Sequence, residues 1–197
     1  MFLKHLRIAV ISLVLFTLLT GLIYPYAVTG VSQLIFPTKA NGSLIQKDGK
    51  VAGSELIGQP FSDPKYFWGR VSATGPYAYN GGSSSGSNLG PSNSALIDEV
   101  KKRVSDLKAA DSLNTSPIPV DLVTSSGSGL DPHISVAAAL YQVPRVARIR
   151  GLKDAEVTSL VDKWTEGRQF GFLGEPRVNV LNLNLALDDL GRSTKEQ

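Results

Sequence analysis

Residues 117–135 read PIPVDLVTSSGSGLDPHIS and hold most of the side chains with chemical potential. Ser126 and Ser128 precede Asp131 and His133, the residue types of a nucleophile, a carboxylate and a base. A triad needs the base within hydrogen-bond reach of the nucleophile and the carboxylate behind the base. Here Asp131 and His133 share what reads as one helix start. Asp131-Pro132 fits an N-cap followed by proline at the first helical position, so the expectation is a structural cap rather than a triad. The run Ser126-Gly127-Ser128-Gly129 has a second reading. Its glycines let backbone N–H groups form a nest for phosphate ahead of a helix N-terminus. Neither G-x-x-x-x-G-K-[ST] nor G-x-G-x-x-G is present, and no lysine follows the glycines. The competing reading is a tight turn that admits the chain to a buried helix. Gly82-Ser83-Ser84-Ser85-Gly86 matches G-x-S-x-G in form only, because no strand precedes it and no helix follows directly.

The remaining inventory narrows the chemistry. There is no cysteine, which excludes disulfides, thiolate metal sites and cysteine nucleophiles. His5 and His133 are the two histidines, neither in a set with metal-ligand spacing, so no metal site and no catalytic set is expected. The net charge is +3, but Lys4 and Arg7 are the only charged residues in 1–38. That leaves 18 basic and 17 acidic residues in 39–197, a net of +1, without the basic footprint of a nucleic-acid binder.

The elements that must position these residues begin with an apolar segment. No charged side chain lies between Arg7 and Lys39, and 16 of the 21 residues in 8–28 are apolar. About 20 helical residues cross a bilayer core. We expect a basic tail at 1–7, a transmembrane helix at 8–28 that Pro25 kinks or ends, and a juxtamembrane linker at 29–43. A cleaved signal peptide fits less well, since the apolar run is long and no A-x-A site comes after it. Lys4 and Arg7 flank the span, which places the N-terminus in the cytoplasm and the main domain, 44–192, outside. Residues 193–197 read as a polar tail.

Within that domain, 44–60 reads as two strands around an Asp48-Gly49 turn. Tyr66, Phe67, Trp68 and Arg70 form an aromatic-dense stretch that is either a core cluster or a partner-docking patch. Residues 72–94 are Gly/Ser-rich and read as a loop. A helix starts near Ser92 or Ser94, with Leu96, Ile97, Val100, Val104 and Leu107 on one face. A second runs from Asp131 until Pro144 disturbs it, with VARIRG ending at Gly151, a plausible C-cap. A third covers Asp154–Glu166, and RVNVLNLNLAL alternates as a half-buried strand would. The fold class is α+β.

TGLIYPYAVTGVSQLIFP, LIGQPF, FWGRVSAT, SSGSNLGP, DLVTSSGSGLDPHIS, YQVPRVARIRG and LGEPRVNVLNLNLALD succeed one another along nearly the whole chain. In that order they resemble KdpC, the small single-span subunits of bacterial potassium-transporting P-type ATPases. The loop wording at 72–83 departs from the pattern, and no contact is assigned there. The resemblance implies a noncatalytic subunit in a bacterial plasma membrane. Its implied partners are a potassium-binding channel-like subunit, an ATP-hydrolysing P-type subunit and a small hydrophobic peptide, with K+ as the transported ion. It also implies two roles between which the residues do not decide. One is a catalytic chaperone that raises the pump's ATP affinity, with nucleotide contact at positions nearest to Ser126, Gly127, Ser128, Gly129 and Gln142. The other is architectural: the span stitches the channel-like and ATP-hydrolysing subunits together and stabilises them, and the domain is a cap or gate over the potassium entrance with no nucleotide contact.

Overall fold

The computed structural model describes residues 2–193, so most of the expected polar tail lies outside the described residues. The chain divides into two compact units, Met1–Leu44 and Ile45–Gln197.

In the first unit, Phe2–Ile35 is one run of 34 helical residues, long and apolar enough to cross a membrane. It comprises α1 (Phe2–Leu18), a π turn (Leu19–Ile23) and α2 (Tyr24–Ile35). The π turn explains why Pro25 does not end the helix. Proline has no N–H for the turn before it, and its ring crowds that turn. Widening the preceding turn, with Tyr24 N–H donating to Leu19 O, makes room for it. The helix therefore continues past residue 28 into the expected linker, and a short α3 (Pro37–Ala40) comes next.

In the second unit, β1 (Leu44–Lys47) and β2 (Lys50–Ser54) form the expected hairpin. Asp48 and Gly49 have φ of 53° and 75°, the paired left-handed conformation that a two-residue hairpin turn requires. Residues 55–93 carry no regular helix or strand. α4 (Ser94–Ala110) is capped by Asn93, whose side chain accepts from Ala95 N. A turn of 3-10 helix (Val120–Leu122) leads to β3 (His133–Ser135), α5 (Val136–Arg150), α6 (Asp154–Lys163), β4 (Thr165–Glu166), β5 (Arg177–Asn179) and α7 (Val180–Ser193). The strands β3, β5 and β4 make an antiparallel sheet in that order, with Ile134 opposite Val178 and Thr165 also opposite Val178. The core packs α5, α6 and α7 around Phe67, Trp68, Val146, Val157, Val161, Leu183 and Leu187.

Three local expectations change. Asp131-Pro132 does not cap a helix: 133–135 is strand, and α5 starts at Val136 with Ser135 as its N-cap, accepting from Ala138 N at 3.0 Å. Asp131 folds a turn instead, accepting from His133 N at 3.0 Å. Pro144 sits inside α5 without ending it. It lies on the exposed side with Leu140, the residue one turn back whose carbonyl it cannot bond. Gly151, at φ 68°, ends the helix as expected. Finally, only Arg177–Asn179 of the expected C-terminal strand is strand. Val180, Leu183, Asn184 and Leu187 are buried at helical spacing, and Asn179 accepts from Asn182 N to start α7.

Candidate functional site

The stretch 63–71 (DPKYFWGRV) has no ladder partner for most of its length, so its polar backbone needs other partners. It finds them in side chains. Arg145 donates to Pro64 O and, at 3.0 Å, to Tyr66 O. Arg150 Nε donates to Lys65 O at 2.8 Å. Asn184 accepts from Phe67 N at 2.9 Å and donates to Phe67 O at 3.0 Å. Gln142 does the same for Trp68, at 2.8 and 3.1 Å. Arg103 donates to Gly69 O, Tyr79 OH to Arg70 O and Ser126 N to Val71 O. Trp68 Nε1 returns to Asp63 O at 3.1 Å. Every carbonyl from 63 to 71 thus accepts from a group brought in from elsewhere in the fold or from Trp68 itself.

The aromatic rings of the stretch are held as firmly. Phe67 is fully buried and Trp68 is 6% exposed. Two guanidinium groups lie over the indole, Arg145 at 4.6 Å and Arg103 at 5.1 Å. Arg150 stacks on Tyr66 at 4.8 Å and pairs with Asp188, which also accepts from Tyr66 OH. Burial pulls the Arg145 guanidinium down to about 10, and Asp111 is the main charge that opposes this. The docking expectation for Phe67 and Trp68 is therefore replaced by a structural one. These rings are core, and the free chain does not present them.

Gln142 is 1% exposed. Its Oε1 accepts from Trp68 N and, at 2.6 Å, from Arg145 Nη2, while its Nε2 donates to Trp68 O and Ala138 O. Both donor positions are used and the acceptor is doubly used. Gln142 and the Ser126–Gly129 run, the positions that the resemblance assigns to nucleotide contact, each bond a different residue of the 63–71 stretch. Gln142 holds Trp68, whereas Ser126 N holds Val71 O, three residues further on. The run itself is a tight turn against the 72–86 loop. Ser126 and Gly129 are buried, Gly127 and Ser128 exposed. Gly129 has φ 66°, and a Cβ there would lie 2.6 Å from Ser85 O and from Thr74 Cγ2. Ser128 O accepts from Ser85 N and Ser84 Oγ. The run leads into β3 and not into a helix N-terminus.

The His133 ring lies near two carboxylates. Its Nδ1 lies 3.4 Å from Asp131 Oδ1 and its Nε2 3.9 Å from Glu166 Oε1. Arg70 pairs with Asp131 at 3.2 Å, and Arg177 with Glu166 at 3.0 Å. Burial pushes the Asp131 carboxyl up, but hydrogen bonds from His133 and then from Arg70 outweigh it and hold the group below its ordinary value. Arg70, Asp131, His133 and Arg177 border an open cavity of about 580 Å³, with Asp121 and Ser135 on its wall. Among the described residues no group of three or more His, Asp or Glu side chains is arranged to hold a metal.

The residues that sequence reasoning missed are Arg103, Arg145, Arg150 and Asn184. One signal was available: Gln142 and Arg145 stand at i, i+3 among the apolar residues of α5, which is unusual unless buried polar groups serve something.

Comparison with known proteins adds a family. The family model described as KdpC, "K+-transporting ATPase, c chain", matches residues 6–189. A "Potassium-transporting ATPase KdpC subunit" of Methylococcus capsulatus is 66% identical over 187 residues, covering 95% of this chain and 98% of the relative. Proteins of that name from Dechloromonas aromatica and Sorangium cellulosum are 63% and 61% identical, each covered over 98% of its length, with 95% and 94% of this chain.

Proposed function

The chain belongs to the KdpC family, the accessory c chains of K+-transporting ATPases, and on that premise we propose that it assembles and stabilises the pump rather than taking part in its chemistry. Its N-terminal helix joins the subunits within the membrane, and its domain stands on the outer side, close to where K+ enters. The partners would be a K+-binding channel-like subunit, the ATP-hydrolysing subunit and a small hydrophobic peptide. The observation that carries this reading is the apolar helix Phe2–Ile35, 34 residues long and roughly 50 Å in length. A helix of this length suits lateral packing against other spans. On this reading, any rise in the pump's ATP affinity is transmitted through assembly and not through Gln142, whose amide is committed to Trp68 and Arg145.

Deleting residues 1–30 should release the chain from the complex and abolish growth at low K+; an intact, active complex after the deletion would overturn the reading. Sidedness is tested separately. The chain has no cysteine, and Ser84 is exposed. Ser84→Cys should therefore react with a membrane-impermeant maleimide in intact cells. Reaction only after lysis would put the domain inside and reopen direct nucleotide contact.

A further inference from the structure

Residues 167–176 join β4 to β5, and the connection closes on itself before it returns. Gln169 N donates to Leu173 O and Leu173 N to Gln169 O, each at 2.9 Å. Arg168 Nη2 meets Glu175 Oε2 at 2.7 Å and shuts the base. At the turn, Phe170 has φ 54° and Gly171 φ 83°. The left-handed region is uncommon for a bulky L residue and persists where its surroundings enforce it. Here the two reciprocal backbone bonds enforce it. The result is a fixed tip whose side chains point away from the fold: Phe170 is 86% exposed, Phe172 70% and Leu173 46%.

Single exposed apolar residues need no explanation. Two phenylalanines and a leucine within four residues, on a loop that is ordered by its own hydrogen bonds, concentrate exposed apolar surface at one tip. At about 200 Å² per ring, that surface approaches roughly 350 Å². We propose that this hairpin is a knob that seats in an apolar, uncharged cleft on another protein subunit of the same ATPase; the proposal rests on the assembly reading above. Charge decides against the bilayer as occupant. The loop's two charged residues, Arg168 and Glu175, neutralise each other, which leaves the tip without a cation to meet anionic headgroups. Area decides against a second copy. Two tips face to face would bury well under the ~1,000 Å² of a stable interface, whereas a concave cleft encloses the tip on several sides. The preset turn lowers the ordering cost of docking.

The test uses cells that express the whole complex. Phe170→benzoylphenylalanine and Phe172→benzoylphenylalanine should each give a light-dependent adduct with one and the same pump subunit. Lys101→benzoylphenylalanine, on the exposed side of α4, should give none. The double variant Phe170→Ser/Phe172→Ser should dissociate from the detergent-solubilised complex at least about tenfold faster than the unaltered chain. Adducts with lipid, with a second copy, or with nothing, while the unaltered chain co-purifies with the pump, would overturn the knob and leave the assembly reading standing. Failure of the unaltered chain to co-purify would overturn the assembly reading, and the knob with it.

Discussion

Two stretches of this chain share a composition and differ in almost everything else. Residues 64–70 and 168–175 are both short, carry two or three aromatic rings and one arginine, and lie outside regular helices and strands. In the first, the backbone is satisfied by side chains from α4, α5, α7 and the loop, and the rings are drawn into the core with it. In the second, the backbone satisfies itself across one tight bridge, and the rings are left outside. The difference teaches that aromatic and arginine content does not locate a docking surface. What matters is who hydrogen-bonds the backbone. A segment whose carbonyls need distant donors is tied into the core by them, and one that closes locally is free to present its side chains.

The comparison can be broken most forcefully at Arg145. Arg145→Ala removes donors from Pro64 O, Tyr66 O and Gln142 Oε1 and takes one guanidinium off Trp68. Several buried acceptors are stranded at once, so the expected loss of stability is about 4 kcal/mol. Denaturant unfolding of the full chain in detergent checks it, and a loss below about 1 kcal/mol would mean that the carbonyls are satisfied some other way. Gln142→Ala comes next, at about 3 kcal/mol, because Trp68 N and O both lose their partner inside the core. It also separates two accounts of this residue. Loss of stability in the isolated subunit marks a structural amide; unchanged stability with a raised ATP KM of the assembled pump would mark a nucleotide contact.

Much of the fold was legible because local rules decide it. The Asp48-Gly49 hairpin, the helix from Ser94, the Gly151 cap and the α+β class all stem from turn chemistry and periodicity. Two of the errors arise where a short local pattern admits two readings. RVNVLNLNLAL alternates, yet Val180, Leu183, Asn184 and Leu187 also fit one helical face. Asp131 looks like a cap, but the strand pairing of His133 with Asn179 claims the residues between it and α5. Most of the carbonyl clamp was illegible. Apart from Trp68 and Tyr79, its donors come from residues 34–117 positions away from their acceptors, and no local spacing reports such a distance.

Gly129→Ala tests the turn that was also read as a phosphate nest. At φ 66°, with Ser85 O and Thr74 Cγ2 each 2.6 Å from the new Cβ, the substitution should cost about 2 kcal/mol in the chain alone. That the glycine is required by packing is checked by comparing it with Gly127→Ala. At Gly127 nothing lies within 4 Å of where a Cβ would stand and φ is not left-handed, so its replacement should be nearly neutral. Equal costs at the two positions would reject a packing origin.

The smallest expected effect sharpens the comparison most. Phe170 and Phe172 contribute little buried surface to the isolated chain, so Phe170→Ser/Phe172→Ser should change its unfolding free energy by no more than about 0.5 kcal/mol. Phe67→Ser, a fully buried ring exchanged for the same side chain, is the contrast and should cost at least about 3 kcal/mol. The pair of measurements separates aromatics that fold the domain from aromatics that are merely carried by it. If the double variant were instead destabilised by several kcal/mol, the hairpin would be packing against its own chain in solution, and its exposed rings would belong to the fold after all.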